Sequence, residues 1–157
     1  MKQRILFVCL GNICRSPAAE AIFLHKLEQL KIIDEFYVDS AGTGGWHVGS
    51  LADSRMRDAA SNRGIDIKST ARKISFDDFN NFDLILTMDN TNLRNVRALS
   101  KELGTTFKAE IKPLLEYAIH SDLIEVPDPY YGGDKGFDKV LDLLDDAIEG
   151  LIKEISF

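Results

Sequence analysis

Four consecutive apolar residues, Ile5-Leu6-Phe7-Val8, run straight into Cys9-Leu10-Gly11-Asn12-Ile13-Cys14-Arg15-Ser16-Pro17. An uninterrupted apolar run of this length fits a strand buried on both faces, as in a parallel sheet. Ser16 can cap a helix, and Pro17 fits its first turn. Strand, tight turn and helix in direct succession commit the chain to βα units. In such folds a ligand sits at the carboxyl ends of the strands, where Cys9 falls.

The remaining pattern extends that reading. Ala18, Ala21, Ile22, Leu24 and Leu27 recur at helical spacing. Phe36-Tyr37-Val38 reads as a second strand ending at Asp39-Ser40, and residues 41–50, rich in glycine, read as a loop. Residues 52–63 suit a helix stopped by Gly64. Residues 83–88 read as a third strand, residues 91–101 as a polar helix ending before Gly104, and residues 107–111 as a fourth strand. From Phe137 to Ile155, apolar residues mark one face of a long amphipathic helix. Strands alternating with helices predict an α/β fold, a parallel sheet with helices on both faces. No repeat or linker divides the chain, so residues 1–157 are expected to form one domain.

Composition excludes several classes. A net charge of −6 argues against a general nucleic-acid binder, although a local pocket on an acidic protein can still take an anion. Two cysteines, Cys9 and Cys14, are too few for a secreted disulfide scaffold, and no histidine spacing completes a zinc site. The apolar run at the start stops at Gly11-Asn12, too short for a signal peptide, and no stretch reaches the length of a membrane span. A cytoplasmic protein with reduced thiols is expected, with no membrane partner and, by default, a monomer.

The turn has the residues for thiol chemistry on an anion. A thiol near a helix N-terminus and an arginine favours the thiolate. The helix beginning near Ser16 aims unpaired N–H groups at the loop, and Arg15 adds a planar fork matched to two phosphate oxygens. Gly11 permits backbone geometry closed to other residues. Inward N–H groups from Leu10 to Arg15 would form an anion-binding nest. Ser16 can donate a hydrogen bond to the sulfur. Cys-x5-Arg alone is a weak pattern; the strand before it and the Ser-Pro helix start after it make it specific.

Attack by a thiolate on phosphorus needs an acid for the departing oxygen. Asp128, in Val126-Pro127-Asp128-Pro129-Tyr130-Tyr131-Gly132-Gly133, is the candidate, held in a loop that two prolines stiffen. Tyr130 and Tyr131 offer flat, partly apolar walls for an aromatic substrate.

Together these residues resemble the low-molecular-weight protein tyrosine phosphatases. Cys9 to Pro17 is similar to that family's phosphate loop, and Asp128-Pro129-Tyr130-Tyr131-Gly132 to its acid loop. Asp39-Ser40-Ala41-Gly42-Thr43, Trp46, Ala71-Arg72, Met88-Asp89 and Asn92-Leu93-Arg94 also match, so the resemblance covers essentially the whole chain. It implies a four-stranded parallel sheet flanked by helices. It implies Cys9 as nucleophile, Arg15 as phosphate binder and transition-state clamp, and Asp128 as general acid and then general base. It further implies Asn12, Ser16 and Ser40 as a hydrogen-bonded scaffold, and Ile13, Trp46, Tyr130 and Tyr131 as the substrate cleft. The implied reaction is hydrolysis of phosphotyrosine proteins and small aryl phosphates through a phosphocysteine. Inorganic phosphate and other oxyanions would inhibit, and neither metal nor cofactor is required. The family counterpart of Cys14 can bridge the nucleophile, so a Cys9–Cys14 disulfide would guard Cys9 from over-oxidation; a small buried apolar residue is the other reading of Cys14.

One position departs from the pattern. Many relatives carry a histidine two residues before the Ala-Arg pair, and here that position is Ser69. His25 and His120 read as surface residues, and His47 as an exposed loop residue beside Trp46. Arsenate reductases of this fold relay a disulfide through further cysteines, and none follows Cys14. Protein-arginine phosphatases of the same superfamily typically place threonine where Ile13 stands; an apolar Ile13 with Trp46 and paired tyrosines favours a flat aryl phosphate. A non-catalytic phosphoprotein-binding module would be expected to lack Cys9 or Asp128, and both are present. No P-loop nucleotide motif occurs, and Gly42-Thr43-Gly44-Gly45 is too incomplete for a dinucleotide fingerprint.

Overall fold

The computed structural model describes residues 2–104, 106–131 and 133–155, with the side chains of Tyr131 and Asp134 outside that description. Four strands form one parallel sheet: β1 (Gln3–Cys9), β2 (Phe36–Gly42), β3 (Leu84–Thr87) and β4 (Glu110–Pro113). The spatial order is β2-β1-β3-β4. The chain therefore leaves β1 toward β2 on one side and returns to β3 on the other. That reversal opens a crevice at the carboxyl end of β1, where open α/β sheets bind ligands. Cys9 is the last residue of β1.

Helices cover both faces, as the alternation predicts. They are α1 (Arg15–Gln29), α2 (Ser54–Ser61), α3 (Asp78–Asn81), α4 (Asn90–Leu103) and α5 (Gly136–Ile155). Ile5, Phe7 and Cys9 of β1 point into the core shared with α1, α2 and α5. Leu6 and Val8 point into the core shared with α3 and α4. The period-two alternation of a strand thus sends the Cys9 sulfur to the α1 side, beneath the turn that starts that helix. Phe23 of α1 anchors this face, edge-on to Phe7 at 5.7 Å and to Phe36 at 5.5 Å between ring centroids. Burying each such ring contributes about 2–3 kcal/mol.

The structure corrects several sequence expectations. Ser16 does not cap α1: the N-cap is Cys14, and Ser16 lies inside the first turn, turned toward the sulfur. Ala41 and Gly42 belong to β2 rather than to the loop. The expected helix over 52–63 is shorter, with Asp53 as its cap. The fourth strand begins at Glu110, not Phe107. Phe107 instead packs edge-on against Phe79 at 5.5 Å, and the Ala109 N–H bonds the Phe79 carbonyl. A contact outside the sheet therefore claims the residues whose composition looked strand-like. The single turn α3 lacks a helical sequence signal. Its Asp78 accepts the Ser75 N–H and pairs with Arg72 through both carboxylate oxygens.

Candidate active site

A pocket of about 350 Å³ opens over the end of β1. Cys9, Arg15 and Asp128, far apart in sequence, all line it. Leu10, Gly11, Ile13 and Cys14 also line it, with Pro129 buried beside them and Trp46, His47 and Tyr130 exposed at its edge. Trp46 is 73% exposed at this rim, as expected of a residue that meets an incoming surface. His47 also belongs to the rim. Asn12, Ser16 and Ser40 lie buried behind the floor.

Among the described residues, no acceptor takes the backbone N–H of Leu10, Gly11, Asn12, Ile13 or Cys14. Five consecutive free donors beside a helix N-terminus suit a bound anion. The residue that bends this turn is Asn12, at φ +57°, and not Gly11. Asparagine tolerates the left-handed region better than most residues. The absent side chain of Gly11 serves a different purpose: a Cβ there would come within 3.1 Å of the His47 ring.

The scaffold behind the sulfur has a fixed direction. Asn12 Oδ1 accepts the Arg72 N–H at 3.0 Å, which settles how its amide is turned. Its Nδ2 then gives hydrogens to Ser16 Oγ at 2.7 Å and Ser40 Oγ at 3.0 Å. Each serine receives a hydrogen from Asn12 and keeps its own for a further partner. Ser16 Oγ lies 3.0 Å from Cys9 Sγ and 3.4 Å from the Ala41 carbonyl; Ser40 donates to Glu20 Oε1 at 2.6 Å. With Cys9 as a thiolate, which has no hydrogen to give, Ser16 is the donor, and that bond makes the sulfur the better leaving group. Burial pushes the Glu20 carboxyl up to about 6, against the opposing bond from Ser40. Ser69, at the position that departs from the pattern, also lowers the Glu20 carboxyl.

Arg15 is 5% exposed and held from two sides. Its Nη1 donates to Asp89 Oδ2 at 2.7 Å and to the Val126 carbonyl at 3.0 Å. The other oxygen of Asp89 caps α4 by accepting the Asn92 N–H at 2.7 Å. One carboxylate therefore starts a helix and aims the arginine. Nη1 is committed, which leaves the other edge of the fork for the pocket.

The acid loop is tied to the same turn. The Val126 N–H bonds the Met88 carbonyl at 2.7 Å, beside the carbonyl that Arg15 holds. Asp128 Oδ1 accepts the Tyr130 N–H at 2.9 Å, and among the described residues no donor takes Oδ2. Gly136 allows this loop to lie close on α5, since a Cβ there would come within 2.6 Å of the Pro129 carbonyl. Tyr130 lines the pocket as expected, but one face of its ring is taken by the Arg55 guanidinium, 4.8 Å from the centroid. The side chain of Tyr131 lies outside the described residues.

Four contributors, Glu20, Asp53, Arg72 and Asp89, received no role from the sequence. Asp53 and Asp89 each precede a helical segment, and an acidic residue at an N-cap is the signal that could have found them.

A parallel sheet with a buried thiol under a cup of free N–H groups, an arginine at its edge and a carboxylate across it defines the phosphatases that work through a cysteine. Comparison with known proteins agrees. The family model described as low molecular weight phosphotyrosine protein phosphatase matches residues 4–156. A low molecular weight phosphotyrosine protein phosphatase of Schizosaccharomyces pombe is 44% identical over 154 residues, 98% of this chain and 97% of that protein. The structure of a protein tyrosine phosphatase from Entamoeba histolytica superposes with a TM-score of 0.89 at 40% identity, covering 99% of this chain and 97% of that one. The drosophila arginine phosphatase superposes with a TM-score of 0.92 at 32% identity, covering 100% and 99%. The chain belongs to the low molecular weight phosphotyrosine protein phosphatase family.

Proposed function

We propose that this chain hydrolyses phosphotyrosine in proteins, and small aryl phosphates, with Cys9, Arg15 and Asp128 as its catalytic residues. One observation carries the reading: these three line a single pocket, with Ser16 Oγ 3.0 Å behind the Cys9 sulfur. The Cys9 thiolate attacks phosphorus from the floor. The bond to the phenolic oxygen breaks as Asp128 gives that oxygen its proton. Sulfur then carries the phosphoryl group. Water gives a proton to Asp128 and attacks phosphorus, the S–P bond breaks, and Ser16 receives the returning thiolate with a hydrogen bond. Arg15 and the free N–H groups from Leu10 to Cys14 stabilise charge on the equatorial oxygens. The same groups make inorganic phosphate and related oxyanions inhibitors.

Ile13 and Trp46 favour a flat aromatic leaving group. The drosophila arginine phosphatase shares the fold, which makes phosphoarginine the competing substrate. Turnover of matched phosphotyrosine and phosphoarginine peptides without added metal separates the two. Phosphotyrosine is expected to lead in kcat/KM by about 100-fold, the scale on which a pocket discriminates shape. A lead for phosphoarginine overturns the assignment.

Cys14 serves as a redox guard in this reading. Burial pushes its thiol up to about 12, so it stays protonated and does not compete with Cys9 as a nucleophile. Peroxide would convert Cys9 to a sulfenic acid; attack by Cys14 releases water and leaves a disulfide. Intact mass after peroxide is expected to show a loss of two hydrogens, reversed by dithiothreitol. A gain of two oxygens instead removes the guard. The two free thiols support a cytoplasmic location. Among the described residues no helix is long and apolar enough to cross a membrane. A monomer remains our reading of the oligomeric state.

A further inference from the structure

Asp53 lies at the start of α2, on neither the phosphate loop nor the acid loop, yet it bonds to both. Its backbone N–H donates to the Ile13 carbonyl at 2.7 Å. Its Oδ1 accepts the Arg55 N–H at 2.9 Å, which caps α2. Its Oδ2 accepts the Tyr130 hydroxyl at 2.9 Å. The same hydroxyl oxygen accepts from the Cys14 thiol at 3.5 Å. Arg55 closes the arrangement: its guanidinium bonds Asp53 Oδ2 at 3.0 Å and lies over both the Tyr130 and Phe137 rings.

Tyr130 carries this restraint to Asp128. Its hydroxyl is held by Asp53, and its backbone N–H holds Asp128 Oδ1. On the other side, Val126 is held by Arg15 through its carbonyl. Asp128 therefore sits two residues from either of two anchors, and both anchors reach the loop that cradles the phosphate.

We infer that Asp53 is a positioning residue for the general acid: through the Tyr130 hydroxyl it latches the acid loop to the phosphate loop and aims Asp128 at the leaving oxygen. The inference rests on Asp128 being that acid. The charges favour the latch. Arg55 holds the Asp53 carboxyl down to about 2, so it is an ionised acceptor at neutral pH. Burial raises the Tyr130 hydroxyl above its ordinary range, so it remains a donor.

Two variants break the latch in different places. Tyr130→Phe removes the hydroxyl and keeps the ring, its Arg55 contact and the N–H to Asp128. Asp53→Ser keeps an α2 cap of equal quality but is too short to reach Tyr130. The readout is kcat/KM for two substrates: phenyl phosphate, whose leaving oxygen needs a proton, and a nitro-activated aryl phosphate, whose leaving oxygen does not. Both variants are expected to lose about 10-fold on phenyl phosphate and less than about 2-fold on the activated ester, with phosphate inhibition unchanged. In an Asp128→Asn background, Tyr130→Phe is expected to cost nothing further on phenyl phosphate, because the residue acts only through Asp128. Equal losses on both substrates, no loss on phenyl phosphate, or a further loss in the Asp128→Asn background overturns the latch. If Asp128→Asn itself spares phenyl phosphate, the general-acid assignment fails, and that result is separate from failure of the latch.

Discussion

Cys9→Ser is expected to abolish turnover while leaving the anion site intact. In the proposed reaction the donors to phosphate are the backbone N–H groups of Leu10 to Cys14 and the Arg15 guanidinium, and none belongs to the Cys9 side chain. A serine hydroxyl is a far weaker nucleophile than a thiolate. Ser16 and Asn12, the side chains behind it, carry no group basic enough to take its proton. Turnover of an aryl phosphate should fall by about 10⁴-fold or more, as when a covalent nucleophile is removed elsewhere. Inorganic phosphate should bind within about 3-fold of the parent, since the nest is unchanged. Calorimetric titration of phosphate and a turnover assay on one preparation read both quantities. Residual turnover above a few per cent would remove Cys9 from the reaction. Loss of phosphate binding would show that the sulfur shapes the cup itself.

Arg15→Lys is expected to be nearly as damaging, although it keeps the charge. Arg15 performs two tasks at once. Nη1 binds Asp89 and the Val126 carbonyl, and the remaining edge of the fork faces the pocket. Lysine has one ammonium and no fork, so it must choose between Asp89 and the phosphate. Asp89 lies 2.7 Å from the existing nitrogen, and a half-buried carboxylate left without its cation is unfavourable, so the ammonium should settle there. The transition state then loses its clamp. We expect kcat/KM to fall by about 10³-fold, the scale on which a preorganised charge contributes to catalysis. The variant should fold, because the Asp89 partner and the α4 cap both survive; thermal unfolding followed by circular dichroism checks this. A loss smaller than about 10-fold would mean that the nest alone stabilises the reacting phosphate.

The contrast between these two residues shows how the site divides between local and distant information. Cys9 and Arg15 belong to one strand–turn–helix segment, and their relation follows from local chain geometry. Hence the turn and the sulfur at the carboxyl end of β1 were legible in the sequence. The acid loop was legible too, because Pro127 and Pro129 fix the backbone around Asp128. The register of β4 was not, since Phe107 is as suited to a strand as to the contact it makes with Phe79. Nor was the role of Tyr130, which reads as a cleft wall until its hydroxyl is found on Asp53.

The sequence by itself determined the class of chemistry: a thiol, a guanidinium and a helix start within seven residues, with a carboxylate on a stiff loop. Only the tertiary structure decided how those groups are aimed. Asp89 turns Arg15, Asn12 bonds both serines, Glu20 takes the Ser40 hydrogen, and Asp53 reaches Asp128 through Tyr130. The partners in those bonds are up to 77 residues apart. Periodicity and turn chemistry describe a chain over one or two turns of backbone. A hydrogen bond between distant segments depends on how the sheet and helices pack, and it exists only once they have.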